Sequence, residues 1–307
     1  MKTLLIIGGT GFLGKSFLDY INEGKLKKIK LSKILIVSRK KKNLRSKIKI
    51  NYIKSSISKI KKIPQTDYII YAANSINNLE NIKGIKNFIS LLNENHKKTK
   101  ILFTSSGAVY GPRKFLKKFK ETDQINQKNI RSFSGYKKEY SKTKIIMEKE
   151  FKNLGKKGYK VSIARLFSFI GKRILINKNF AVTDLINQGK NKSLLKIKLS
   201  DSRNIYRGYM NSEDLIKWLV KILISSNSKC EIYNVGSDEA ITIKELAIII
   251  GKIFRKSVQT KTIMKNKTSS DYYVPSIAKA RRKLKLKLKY KLIESIYQLL
   301  NLKSKQS

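Results

Sequence analysis

Apolar positions in this chain gather into short runs separated by stretches of helical spacing. Thr3-Leu4-Leu5-Ile6-Ile7 comes first, followed by Ile34-Leu35-Ile36-Val37, Ile48 to Ile53, Asp67 to Ala73, Lys100 to Phe103 and Val161 to Phe167. Short, nearly continuous apolar runs predict strands buried on both faces. Between them, apolar residues recur on one helical face: Phe17, Leu18 and Ile21, then Leu79, Ile82, Ile85, Phe88, Ile89 and Leu92 within Asn77 to Asn95. A further helix is expected from Gly135 through Lys152.

The order is strand, helix, strand, strand, helix, strand, helix, strand. That alternation predicts an α/β fold, a Rossmann-type doubly wound parallel sheet with helices on both faces. Beyond Gly171 the pattern shortens and mixes. A helix is expected from about Phe180, strands near Leu194 and Tyr206, and a helix from Ser212 to Ser225 around Trp218. Ile232 to Val235 reads as the last strand, Ile243 to Ile253 as a helix, and the basic tail as short helical pieces. The expected organisation is a dinucleotide-binding domain over 1–168, rejoined by 212–236. A smaller mixed α/β substrate-binding part takes 169–211 and 237–307. No internal repeat is visible.

The first strand ends in Gly8-Gly9-Thr10-Gly11-Phe12-Leu13-Gly14 and opens directly into a helix. Glycines permit a tight turn and let backbone N–H groups approach a pyrophosphate, which the helix N-terminus also favours. Gly8, Gly11, Phe12, Leu13 and Gly14 are therefore candidate cofactor contacts. Gly9 to Ser16 also satisfies the P-loop pattern G-x-x-x-x-G-K-S. A P-loop enzyme needs a buried strand ending in Asp to hold Mg²⁺, and Asp67 precedes its strand instead.

The end of the second strand bears on cofactor choice. An NAD site usually places an acid there for the ribose 2′-hydroxyl. This chain has Ser38, Arg39, Lys40 and Lys41, which suit a 2′-phosphate, so NADP is favoured over NAD. Ala72 and Ala73 end the fourth strand and are small enough for a cofactor to pass.

Composition changes little in this picture. The 307 residues are 41% hydrophobic, enough for a sizeable core. The formal charge of +49 invites a nucleic-acid reading, but lysine is spread along the whole chain without interleaved aromatics, so no specific nucleic-acid partner is expected. The excess of lysine, isoleucine and asparagine reads as AT-rich codon usage. No apolar run is long enough for a membrane span. The apolar start stops at Gly8 without a signal-peptide cleavage site. Cys230 is the single cysteine, which excludes an internal disulfide and a Cys-rich zinc site; no metal is expected. A soluble, cytoplasmic protein is expected.

Tyr140-Ser141-Lys142-Thr143-Lys144 places a tyrosine and a lysine one helical turn apart. A lysine there stabilises phenolate and can hold a nicotinamide ribose. Ser106 ends the fifth strand, at the edge of the sheet where ligands bind. Ser106, Tyr140 and Lys144 are the candidate catalytic group: a proton-transfer pair facing a hydride carrier. Tyr110 and Lys114 share the spacing, but Gly111-Pro112 keeps them off a helix.

With these motifs in this order, the chain resembles the extended short-chain dehydrogenases/reductases, the NAD-dependent epimerase/dehydratase group acting on nucleotide sugars. The resemblance rests on the glycine turn, on Ser105-Ser106-Gly107-Ala108-Val109-Tyr110-Gly111, on Tyr140 with Lys144, and on Asn81-Ile82-Lys83-Gly84. Ala164 to Gly171, Arg207 to Leu215 and Tyr233 to Ser237 extend it over nearly the whole chain. It implies that Phe167 lies at the cofactor, and that Ser168 and Arg207 contact substrate, Arg207 at its diphosphate. The family usually has Asn where Ser168 stands. The implied partner is a nucleotide-diphosphate sugar, and the implied assembly a homodimer.

Within that resemblance, 4,6-dehydratases usually carry Asp-Glu directly after the catalytic Ser/Thr. Here those positions are Gly107 and Ala108, which disfavours dehydration. A 4-ketoreductase using NADPH is slightly favoured by Ser38-Arg39-Lys40; the alternative is a 4-epimerase that retains NAD. A non-catalytic NAD(P)-binding regulator is the reading from another class, opposed by the intact Ser106, Tyr140 and Lys144.

Overall fold

The computed structural model describes residues 2–26, 29–125, 127–133, 135–174, 180–191, 195–198, 205–261 and 271–302. Its first strand, β1 (Lys2–Ile7), is almost wholly buried from Leu4 to Ile7 and lies inside the main sheet. After it come α1 (Phe12–Asn22), β2 (Leu31–Ser38), β3 (Lys49–Lys54), β4 (Tyr68–Tyr71), α2 (Asn78–Ser90) and β5 (Lys100–Ser106). Next are α3 (Gln127–Arg131), α4 (Gly135–Lys156), β6 (Lys160–Leu166), β7 (Phe169–Ile170) and α5 (Ala181–Asn191). Then follow β8 (Leu195–Lys198), β9 (Ile205–Arg207), β10 (Met210–Asn211), α6 (Ser212–Ile224) and β11 (Glu231–Val235). The chain closes with β12 (Ile241–Thr242), α7 (Ile243–Phe254), β13 (Val258–Lys261), β14 (Asp271–Tyr273), α8 (Ala278–Leu284) and α9 (Leu292–Leu300).

Seven strands form one sheet in the order β11-β6-β5-β4-β1-β2-β3, every pair parallel. Alternation along β1 splits the core in two, as the two-residue period of a strand requires. Leu4 and Ile6 join Phe17 of α1 and Trp218 of α6 on one face; Leu5 and Ile7 join Phe88 of α2 and Phe151 of α4 on the other. Each fully buried Leu, Ile or Phe contributes about 1.5–3 kcal/mol. On the α4 face the rings of Tyr71, Phe88, Phe103 and Phe151 pack edge-on or stacked, with Phe103 and Phe151 4.5 Å apart. The helix carrying Tyr140 and Lys144 is thereby fixed on the sheet.

Strand order reverses between β1 and β4. Ile7 pairs with Val37 on one side and with Tyr71 on the other, so both neighbours diverge at Gly8. This is the switch point at which open parallel sheets bind ligands, beyond the carboxyl ends of the strands.

Smaller strand sets lie beyond that edge: β12-β9-β14, β10-β7 and β13-β8. Their core joins Ile170, Val182, Leu185, Ile186, Leu246, Ile250 and Ile296. Ile232–Val235 is therefore not the last strand; β12, β13 and β14 follow it. They span only two to four residues each, too few to show a period of two. The helix expected over Asn77 to Asn95 ends at Ser90, and a separate 3₁₀ turn, Glu94–Lys98, follows. Asn93 and His96 cap that turn reciprocally, which breaks the continuous helix. Leu194 lies outside the described residues. Among the described residues no helix is long and apolar enough to cross a membrane.

Candidate active site

The glycine turn is shaped by two close approaches. Gly8 has φ +87°, and a Cβ there would lie 2.8 Å from the Ala73 Cα. A Cβ on Gly14 would overlap the Gly9 carbonyl. Gly8 N–H donates to the Val37 carbonyl and Gly11 N–H to the Gly8 carbonyl, at 3.0 and 3.1 Å. Lys15 N–H then donates to Gly11, so the N–H groups of Phe12 and Leu13 precede the first intrahelical bond of α1. The result is a concave backbone surface at a helix N-terminus, closed to any side chain. It fits the pyrophosphate of a nicotinamide dinucleotide. The Phe12 ring stacks on Phe169, ring centres 4.7 Å apart.

At the end of β2 the Ser38 and Thr10 hydroxyls lie 2.9 Å apart, and Ser38 Oγ donates to the Lys40 carbonyl at 3.0 Å. This ties the second strand to the glycine turn. Arg39 and Lys40 are exposed beside it.

A cavity of about 1130 Å³ opens from the turn toward the smaller strand sets. Leu13, Ala72, Ser106, Tyr140, Lys144, Phe167, Ser168 and Arg207 all line it. Gly8, Gly11, Phe12, Gly14, Ser38, Arg39 and Ala73 are not on its wall; they belong to the turn and the strand ends next to it.

Ser106 ends β5 and caps a short 3₁₀ turn, Gly107–Tyr110, its hydroxyl accepting from Ala108 N–H at 3.2 Å. The same hydroxyl engages the phenols of Tyr140 and Tyr273. Removal from water pushes the Tyr140 phenol up to about 12; the bond to Ser106 works against that shift and Tyr136 adds to it. Lys144 is buried at 3% exposure, and burial pulls its pKa down to about 8, with Glu148 acting the other way. Its Nζ donates to the Thr104 carbonyl at 3.3 Å. The phenol lowering expected from a neighbouring lysine is not found: burial, Ser106 and Tyr136 set the shift of Tyr140, and Lys144 takes no part in it.

Tyr273 is a site residue that the sequence did not disclose. It comes from β14, packs 4.7 Å from Phe167, and has its own phenol pKa raised by burial. Arg207 lies across from it on β9, its guanidinium held by Asp271 at 2.8 Å and pointing toward the Tyr273 ring. The flap after the 3₁₀ turn is strapped to this wall: Phe119 N–H donates to Val274, Tyr272 N–H to Arg113, and Ser276 N–H to Phe119. Among the described residues of the flap, only its end, α3, is helical.

Phe167 also fills the space beside Gly107, whose Cβ would meet the ring at 2.6 Å. The position after Ser106 has no room for a carboxylate side chain.

Solved structures share this fold. A UDP-N-acetylglucosamine 4-epimerase from Methanobrevibacter ruminantium matches with TM-score 0.74 and 20% identity, over 98% of this chain and 97% of its own. A UDP-glucose 4-epimerase from Thermotoga maritima matches with TM-score 0.74 and 17% identity, over 97% of both chains. A dTDP-glucose 4,6-dehydratase from Bacillus anthracis, solved with NAD, matches with TM-score 0.78 and 16% identity, over 98% and 96%. No curated protein sequence matches. A family model does, over residues 4–236, which run from the first buried strand to the turn after β11. With the glycine turn and the Tyr140–Lys144 helix both inside that span, the chain belongs to the NAD-dependent epimerase/dehydratase family.

Proposed function

We propose that this protein is an NAD(P)-dependent enzyme of nucleotide-sugar metabolism that moves a hydride at sugar C4, with a slight preference for the 4-ketoreductase direction. The observation that carries this reading is the convergence of Ser106, Tyr140 and Lys144 on one wall of a cavity that begins at the glycine turn. Tyr140 exchanges a proton with the C4 oxygen, and Ser106 hydrogen-bonds the same oxygen. Lys144 holds the nicotinamide ribose, and the turn of Gly8, Gly11 and Gly14 holds the pyrophosphate. A nicotinamide bound there supplies or accepts the hydride. Arg207 and Ser168, which line the same cavity, are the substrate contacts, Arg207 at the diphosphate.

Two observations support reduction. A phenol with a pKa near 12 keeps its proton at neutral pH and is set to donate to a ketone. Ser38, Arg39 and Lys40 offer a hydroxyl and two cations at the end of β2, with no acid in that run. One observation favours the second reading, an NAD-retaining 4-epimerase. The Ser38 hydroxyl is already bonded to Thr10 and Lys40, and Arg39 is exposed, so no phosphate pocket is assembled. Dehydration finds no support, because Phe167 occupies the place of the acid it would need beside Ser106.

The test is to release and identify any nucleotide that co-purifies, then titrate the emptied protein with NADPH and NADH by nicotinamide fluorescence. An empty site preferring NADPH supports the reductase. Tightly held NAD that resists exchange supports the epimerase and removes the 2′-phosphate role of Arg39. Binding of neither dinucleotide refutes both.

A further inference from the structure

Beneath the catalytic wall lies a charged pair that the chemistry above does not use. Tyr140, Lys144 and Glu148 follow one another at single-turn intervals along one face of α4. The Glu148 carboxylate accepts from Ser105 Oγ at 2.6 Å, from Arg165 Nε at 2.9 Å and from Arg165 Nη2 at 2.7 Å. Both side chains of the pair are 2% exposed. Ser105 is the residue before Ser106, and Arg165 sits on β6 beside it, in register with Ser105. The clamp therefore joins the catalytic helix to the two strands next to the catalytic serine.

The network continues outward. The Arg165 guanidinium lies 4.7 Å over the Tyr110 ring, and Tyr110 donates to Asn234 Oδ1 at 2.8 Å. Asn234 Nδ2 donates to the Phe119 carbonyl in the flap, and Asn234 N–H to Glu121. A buried ion pair brings little net stability compared with well-packed apolar side chains of the same volume. Packing α4 on the sheet is already the work of Phe103 and Phe151. A charge pair at this place needs another reason.

We propose that Glu148, clamped by Arg165 and Ser105, is a positioning residue that holds the Tyr140–Lys144 face in register with Ser106 and keeps the Lys144 ammonium charged. The inference rests on the reading of Tyr140 and Lys144 given above. The groups around Lys144 are few. Tyr140 and Glu148 come from its own helix. The Thr104 carbonyl and the Phe103 ring come from β5, and Arg165 stands behind Glu148 on β6. Among the described residues Glu148 is the one charge that acts on Lys144, and it opposes the lowering by burial; together they leave the pKa at about 8. In a site shielded from water, that field is not screened.

The experiment reads Lys144 directly in the full chain. The rate of its acetylation by acetic anhydride is followed against pH by peptide mass spectrometry, with thermal unfolding measured alongside. Two variants are compared with the native chain. Glu148→Gln removes the charge at constant shape. The pair Glu148→Met with Arg165→Met removes both charges and leaves no unpaired buried charge, which covers the case in which Glu148→Gln fails to fold. The native midpoint is expected near 8, and the variants are expected to fall by about one pH unit or more. A midpoint that stays in place in the variants, whatever happens to their unfolding temperature, overturns the inference and leaves the pair a purely structural one. Labelling does not require turnover. A shifted midpoint in a chain that transfers no hydride therefore supports the action of Glu148 on Lys144 while refuting the enzymatic reading.

Discussion

Lys144 Nζ donates to the Thr104 carbonyl at 3.3 Å and stands 5.6 Å from the centre of the Tyr140 ring. The lysine is therefore anchored to the end of β5 with its charge directed at the strand. The phenol of Tyr140 is governed by burial and by Ser106 instead. Under the function proposed above, this division gives the two residues separate tasks: Tyr140 and Ser106 would meet the substrate oxygen, and Lys144 would supply a fixed positive charge next to them.

A fixed buried charge costs stability. Lys144 is lowered to about 8 in the fold, against an ordinary value of 10.5. Below pH 8 the native state carries the full penalty of a desolvated ammonium. Between 8 and 10.5 the unfolded chain binds more protons than the native one, so stability rises with pH in that window. Lys144→Met is expected to unfold at higher temperature than the native chain at pH 7, by roughly 1–3 kcal/mol, with the advantage shrinking above pH 8. Its turnover is expected to vanish. Thermal melts at pH 7 and pH 10 check the sign.

The glycine turn is intolerant at its last position. A Cβ on Gly14 would overlap the Gly9 carbonyl, and backbone cannot step aside as a flexible side chain can. Gly14→Ala is expected to cost about 1–3 kcal/mol and to weaken dinucleotide binding at least about tenfold. Nicotinamide fluorescence titration reads the second effect, and denaturant unfolding the first.

Tyr140 and Tyr273 both reach Ser106, and only one is assigned the proton transfer. Tyr140 has the lysine one turn away on α4; Tyr273 comes from a different element, β14. Tyr273→Phe is expected to keep kcat within about tenfold and to act mainly through KM, because it removes a hydroxyl that shapes the cavity. Steady-state kinetics of the two Tyr→Phe variants separate the roles. Equal loss of kcat in both would contradict the assignment.

What was legible in the sequence follows from burial. β1, β2, β4, β5 and β6 have helices on both sides, so their residues are apolar at successive positions and read as strands without further help. The glycine turn and the Tyr140–Lys144 spacing were legible because each is local. Tyr273 was not. Its strand has three residues, and it joins Ser106 only through pairing with β9, far away in sequence. Glu148 and Arg165 were hidden for another reason. In a chain with 69 Lys and Arg and 20 Asp and Glu, one buried pair looks like the solvated background until the fold shows both at 2% exposure.

The central claim is hydride transfer to a nucleotide sugar through Tyr140. The most direct measurement follows absorbance at 340 nm when the native chain and Tyr140→Phe are each mixed with NADPH and a 4-keto nucleotide sugar. The account predicts oxidation of NADPH by the native chain. It predicts loss of that signal, by about a thousandfold or more, in Tyr140→Phe, with NADPH still bound. Equal rates in the two proteins would contradict it.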